Sequence, residues 1–175
     1  MNSEQSVTEE VPKMFNTNQV VLYGSNGVCK ITEITNKKVG SNSIEYYVLK
    51  PMCSNTSTLF VPTQNEQLVG KMRDVMGADE IYDILKNIKE EDNVWIDNKN
   101  DRFLACKEII SGGDGVQLVK LIRQLHNHET QQNSKGKKLH IADERFLKEA
   151  EKMVCDEFSL VLEIERDQVM PLILK

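Results

Sequence analysis

The sequence predicts an α+β protein in which a small antiparallel β-barrel precedes an all-helical domain. Residues 18 to 62 fall into short β-branched and aromatic runs separated by turn residues. From Gln67 onward, apolar residues recur at helical spacing instead. No internal repeat relates the two patterns, and 175 residues at 39% hydrophobic and 28% charged are ordinary for a chain that buries a core.

Residues 1–13 carry little apolar content and are expected to be a disordered extension. "QVVLYG", "GVCKITEIT", "SIEYYVLKP" and "STLFVP" then read as strands, separated by Gly24-Ser25-Asn26-Gly27, Gly40-Ser41-Asn42-Ser43 and Cys53-Ser54-Asn55-Thr56. Gly and Asn tolerate the positive φ that such turns need. Four or five strands in about fifty residues suggest a Tudor-like or SH3-like barrel over 14–66. Residues 67–75 read as a linker to a helical domain over 76–175. There "ADEIYDILKNI" sets Ile81, Ile84, Leu85 and Ile88 at helical spacing, and "VQLVKLIRQL" does so with Val116, Val119 and Ile122. "DERFLKEAEKMVCDEFSLVLEIE" reads as one long helix or two, with Phe146, Leu147, Ala150, Val154, Phe158 and Val161 inward. A bundle of four to six helices follows. Gly112-Gly113-Asp114-Gly115 comes after a helix and reads as a C-cap and loop. "NHETQQNSKGKK" reads as a polar connector. Each half carries its own apolar set, so the halves are expected to fold separately.

Several function classes drop out. No apolar run approaches the roughly 18 to 20 residues of a membrane span, and the N-terminus lacks the basic and apolar blocks of a signal peptide, so a cytoplasmic protein without a membrane partner is expected. Cys29, Cys53, Cys106 and Cys155 form no CxxC pair and are expected to be reduced, mostly packing residues. GxSxG, GxxxxGK[ST] and GxGxxG are all missing. His126 and His128 are two apart and point to different helix faces, with His140 beyond a connector, so no metal site is expected. The expectation is a non-enzymatic protein with no cofactor.

The net charge of -5 argues against a generally basic nucleic-acid coat. Yet residues 93 to 138 hold eight basic against five acidic residues, while the segments on either side are acidic. That stretch begins within "EEDNVWIDNKNDRF", whose Trp95 is the only tryptophan. A large aromatic is normally spent on a core or an interface. Two readings of Trp95 stay open: a cap packed between helices with its indole N–H on a carbonyl, or a contact residue. The strand from Thr58 to Val61, ending at Pro62, likewise admits two readings. Leu59 and Phe60 are both core, or the strand is an edge offering its backbone to a partner strand.

The ordered set "FNTNQVVLYGSNGVCKITEI", "EYYVLKP", "LFVP", "VGKMRDVMG", Trp95, "SGG" at 111 to 113 and "LVKLIRQLH" resembles the bacterial CarD/CdnL family of transcription regulators, from Met14 to about Leu162. The N-terminal half of that family is shared with the RNA-polymerase-interacting module of the transcription-repair coupling factor. The resemblance implies a barrel that docks on the β subunit of RNA polymerase through Thr58, Leu59, Phe60 and Val61. It also implies a helical domain at the upstream edge of the promoter bubble, where Trp95 wedges into the minor groove. Lys99, Arg102, Lys120 and Arg123 would contact phosphates. Relatives follow the tryptophan with arginines, whereas this chain has Ile96-Asp97-Asn98, so binding to promoter DNA is expected to be weak and not sequence-specific. The chain is expected to be a monomer. The alternative is a protein-interaction adaptor whose helical half binds a protein rather than DNA, with a hydrolase a distant third.

Overall fold

The computed structural model describes residues 14–53, 57–88 and 95–175. The extension at 1–13, part of the turn expected at 53–56 and the acidic run before Trp95 lie outside the described residues.

The four strands expected from the sequence are all present: β1 Val20–Tyr23, β2 Val28–Val39, β3 Asn42–Pro51 and β4 Leu59–Pro62. A short helix α1, Glu66–Val69, and a fifth strand β5, Met72–Asp74, complete the N-terminal half. All neighbours pair antiparallel, in the order β4-β3-β2-β1-β5. A register shift between Ile31 and Glu33 leaves Thr32 as an extra residue in β2, and its hydroxyl donates to the Val48 carbonyl at 3.2 Å. Such a bulge bends a long hairpin and lets an open sheet curl into a small barrel. Phe15, Val21, Cys29, Ile31, Tyr47, Leu49, Val61, Val69 and Met72 fill the curl.

The stretch 67–75 is not a linker. It holds the last turn of α1 and all of β5, which pairs with β1 through Val21↔Asp74 and Tyr23↔Met72. Three residues, "MRD", carry no strand signal of their own; β1 supplies the open edge that orders them.

Five helices follow among the described residues: α2 Ala78–Asn87, α3 Lys99–Gly112, α4 Gly115–Ser134, α5 Ile141–Leu162 and α6 Arg166–Ile173. Asn98 caps α3, accepting from the Asn100 and Asp101 N–H groups, and Asp114 caps α4, accepting from Gln117 N–H at 2.9 Å. Gly113 ends α3 at φ +65, a left-handed cap that lets α4 turn back at once. The polar connector expected at 127–138 is helical as far as Ser134. Its polar side chains are spent along the helix, with the Thr130 hydroxyl on the His126 carbonyl and Gln132 against His128, and no Gly or Pro interrupts it before Gly136.

The two halves share a seam. Val21 faces the barrel core, while its neighbours Leu22 and Val28 belong to the core formed by Ile81, Ile110, Leu118, Ile122, Phe146, Met153 and Phe158. That is why "VVLY" is apolar throughout: β1 is buried on both faces. From β5, Arg73 forms a two-pronged ion pair with Glu157 of α5 at 2.6 and 2.7 Å and donates to the Gly113 carbonyl. The Glu157 side chain is 1% exposed and also accepts from Met76 N–H. Asp156 pairs with Arg166, and a Cβ on Gly27 would come within 2.6 Å of its Oδ2. Burial pushes the Cys29 and Cys106 thiols up to about 11, so both stay protonated packing groups, whereas Cys53 is exposed.

Candidate functional site

Two surfaces carry the residues singled out by the sequence. The first is β4. Among the described residues it pairs only with β3, which leaves its outer backbone edge at the margin of the sheet. Alternation splits the side chains: Val61 is 1% exposed in the barrel core, Leu59 packs against that core, and Phe60 points out at 43%. Leu59 and Phe60 are therefore not both core. Thr58 precedes the strand and is exposed. Phe60 is held in place: Tyr46 meets it edge-on at 6.3 Å and the Lys37 ammonium sits 3.3 Å from its ring centroid. Ile34, 37% exposed, extends the apolar content of this half's surface. Lys37 and Tyr46 escaped the sequence reading because their meeting with Phe60 depends on strand register; the β-branched and aromatic alternation was the available signal.

The second surface is built around Trp95. The ring is half-buried, packed on the helical core, and stacked on His128 of α4 with centroids 3.6 Å apart and planes at 13°. The Arg102 guanidinium lies over it at 4.4 Å. Trp95 is thus neither the freely exposed ring that the contact reading expected nor a core residue. Part of it rests on α3 and α4, and part faces solvent.

The phosphate role expected for Arg102 requires correction. Arg102 is 6% exposed, grips Asp143 of α5 with two hydrogen bonds at 3.0 and 2.8 Å, and donates to the Ile96 and Asp97 carbonyls at 2.7 and 3.3 Å. Four donors of a five-donor group are spent internally, so what it does is fix the segment that carries Trp95. The same holds for Arg123. It is half-buried and donates to the Ile173 carbonyl at 2.6 Å and the Ile88 carbonyl at 2.8 Å, tying the ends of α6 and α2 to α4. Helix ends leave carbonyls unpaired, and an arginine is well shaped to collect them. Lys99 is exposed at the start of α3, and Lys120 is half-buried on α4.

Lys135, just beyond α4, is a cation the sequence reading did not single out. Burial first, then the charges of Arg102 and Lys135, hold the His128 imidazole below its ordinary range. Lys135 therefore lies within electrostatic reach of the Trp95 stack, and Lys137 and Lys138 follow it, exposed. The signal was legible as "KGKK" at the end of the polar stretch. The half-exposed indole, stacked on His128, offers an aromatic face that can receive an apolar or aromatic partner.

Two family models match the chain. The CarD-like/TRCF RID domain covers residues 15–76, and the CarD C-terminal domain covers residues 80–174. A search of curated proteins matches nothing. The first match runs through β5, in keeping with that strand being part of the sheet.

Proposed function

Because the chain belongs to the CarD family of transcription regulators and carries its RNA-polymerase-interacting domain, we propose that it bridges the polymerase and promoter DNA during initiation. The β4 edge, with Phe60 as its side-chain anchor, docks on the β subunit by strand addition. The helical half holds Trp95 at the upstream edge of the bubble, where the exposed part of the ring takes a partly unstacked base step in the minor groove. Lys99, Lys120 and the loop at Lys135 supply the sequence-independent phosphate attraction, and contact with free duplex is weak. The protein acts as a monomer in the cytoplasm, at the nucleoid through the polymerase, and without catalysis.

The observation that carries this reading is the strand order. It leaves β4 open at one margin, while β1 and β5 at the other are tied to the helices. The helical core takes its barrel residues from β1 and the start of β2, Leu22 and Val28, and none from β4.

The test uses polymerase and full-length protein. Phe60→Ala should weaken capture of the polymerase by about tenfold or more while leaving the unfolding midpoint near its original value, because the side chain is exposed. Trp95→Ala should leave capture intact and shorten the open-complex lifetime by about tenfold, the loss of one base-stacking contact. The inward turn of Arg102 and Arg123, together with exposed Leu104 and Ile141, favours the adaptor as a second reading. That reading requires Trp95→Ala to leave open-complex lifetime unchanged.

A further inference from the structure

A cleft of about 420 Å³ opens along the seam between the halves, and none of its described lining residues contacts Trp95 or belongs to β4. Its barrel wall is the turn at Gly24–Asn26 with Tyr23 and Lys71; its helical walls are α3 and α5. Three cations line it from three separate elements: Lys71 before β5, Lys107 on α3 and Arg145 on α5. Among the described residues, none of the three is within ion-pair distance of a carboxylate. Glu149 is the one acid in the lining. Lys152, one turn further along α5, donates to the Ser25 carbonyl at 3.3 Å and adds a fourth cation beside the turn. In a chain of net charge -5, cations so gathered run against the overall balance and repel one another unless an anion joins them.

The rest of the lining is suited to more than a bare ion. Phe103 is 37% exposed and meets Phe146 at 5.2 Å, giving an aromatic wall at the mouth. The Arg145 guanidinium stands 5.3 Å from the Phe146 centroid and 6.0 Å from that of Phe103, beside this wall instead of in a salt bridge. Tyr23, Ser25 and Ser111 add hydroxyls. The volume lies in the range of small-ligand sites, roughly 300 to 1,000 Å³.

We propose that this cleft binds a phosphorylated small molecule of nucleotide size, its phosphates held by Lys71, Lys107 and Arg145 and its ring laid against Phe103. The site is independent of the reading of Trp95. Because barrel and helices each contribute cations, an occupant bridges the seam and stabilises the two halves against each other.

The full-length protein, labelled for amide NMR, is titrated separately with sodium pyrophosphate, with ADP and with a short mixed-sequence duplex. Saturable shifts at Ser25, Lys107 and Ser111 are expected with pyrophosphate and at lower concentration with ADP. The double substitution Lys107→Gln, Arg145→Gln should weaken both by about tenfold or more. Lys175→Gln, which removes a charge elsewhere, should change neither. Shifts that rise linearly without saturation, or that survive the double substitution, overturn the site. Shifts at these amides produced by the duplex and not by ADP overturn the small-molecule assignment and give the phosphates to nucleic acid. Both substituted residues are exposed, and an unchanged unfolding midpoint checks that folding is preserved.

Discussion

Trp95 answers differently from either reading of its neighbourhood, because its surroundings are assembled from residues far apart in the chain. Stacked on His128 and lying under Arg102, it contributes to the fold without being enclosed by it. Trp95→Ala should therefore cost about 1 to 3 kcal/mol in chemical denaturation, below the roughly 3 to 5 kcal/mol of a fully buried tryptophan. The stack also makes stability depend on pH. In the folded protein, burial and the Arg102 charge lower the affinity of His128 for a proton, whereas the unfolded chain titrates near 6.5. The contribution is present above that pH, and the fold loses stability as pH falls through it, since the unfolded state then binds the extra proton. His128→Gln should flatten the decline in unfolding midpoint between about pH 7.5 and 5.5 relative to the unaltered protein. Equal declines in both would show that carboxylates alone set it. From the sequence, Arg102 looked like a surface cation because its partner Asp143 lies 41 residues away. Nothing local distinguishes an arginine destined for a buried carboxylate from one aimed at a phosphate.

At the scale of elements, legibility tracked local punctuation. β1 to β4 were readable because each is bounded by Gly, Asn or Pro and alternates across a half-buried surface. α5 was readable from its apolar face, and it proved to be a single helix, ended by Glu163 at φ +53, rather than two. β5 was not readable, since three residues acquire strand character only from the edge they meet. The end of α4 is not legible locally, because its polar composition has the look of a loop, although polar residues without Gly or Pro continue a helix readily. The turn between α3 and α4 was legible and is sharply constrained. Gly113 needs its left-handed backbone, and a Cβ there would touch Leu22 Cδ2 at 3.4 Å. Gly113→Ala should lower stability by about 1 to 2 kcal/mol in urea unfolding, with the slope of the transition unchanged.

The molecule as a whole departs most from its sequence reading at the seam. Two apolar sets suggested two separable units. In the structure, Leu22 and Val28 leave the barrel to join the helical core, and Arg73 crosses to a glutamate that is 1% exposed. Breaking that pair strands a buried carboxylate, so Arg73→Ala should cost about 3 to 5 kcal/mol. More tellingly, it should split one thermal transition into two, an earlier one for the barrel and a later one for the helices, by differential scanning calorimetry. Arg73→Ala combined with Glu157→Gln should recover part of the loss by removing the orphaned charge. A single transition throughout would mean that the shared apolar core, not the ion pair, couples the halves.

Gly27 gives this coupling a tolerance. With a Cβ placed 2.6 Å from a carboxylate oxygen of α5, the turn approaches the helix as closely as a missing methyl group allows. A side chain at that position would press on the Asp156 carboxylate that pairs with Arg166, so the close approach of turn and helix depends on glycine. On the proposed function, a polymerase gripping β4 would fix the position of Trp95 as a caliper fixes its second jaw, and the spacing between the two contacts would be a property of the protein alone. On the proposed function, promoters whose upstream edge melts at that distance would fit and others would not. Selectivity among promoters would then arise from length, with no base contact required.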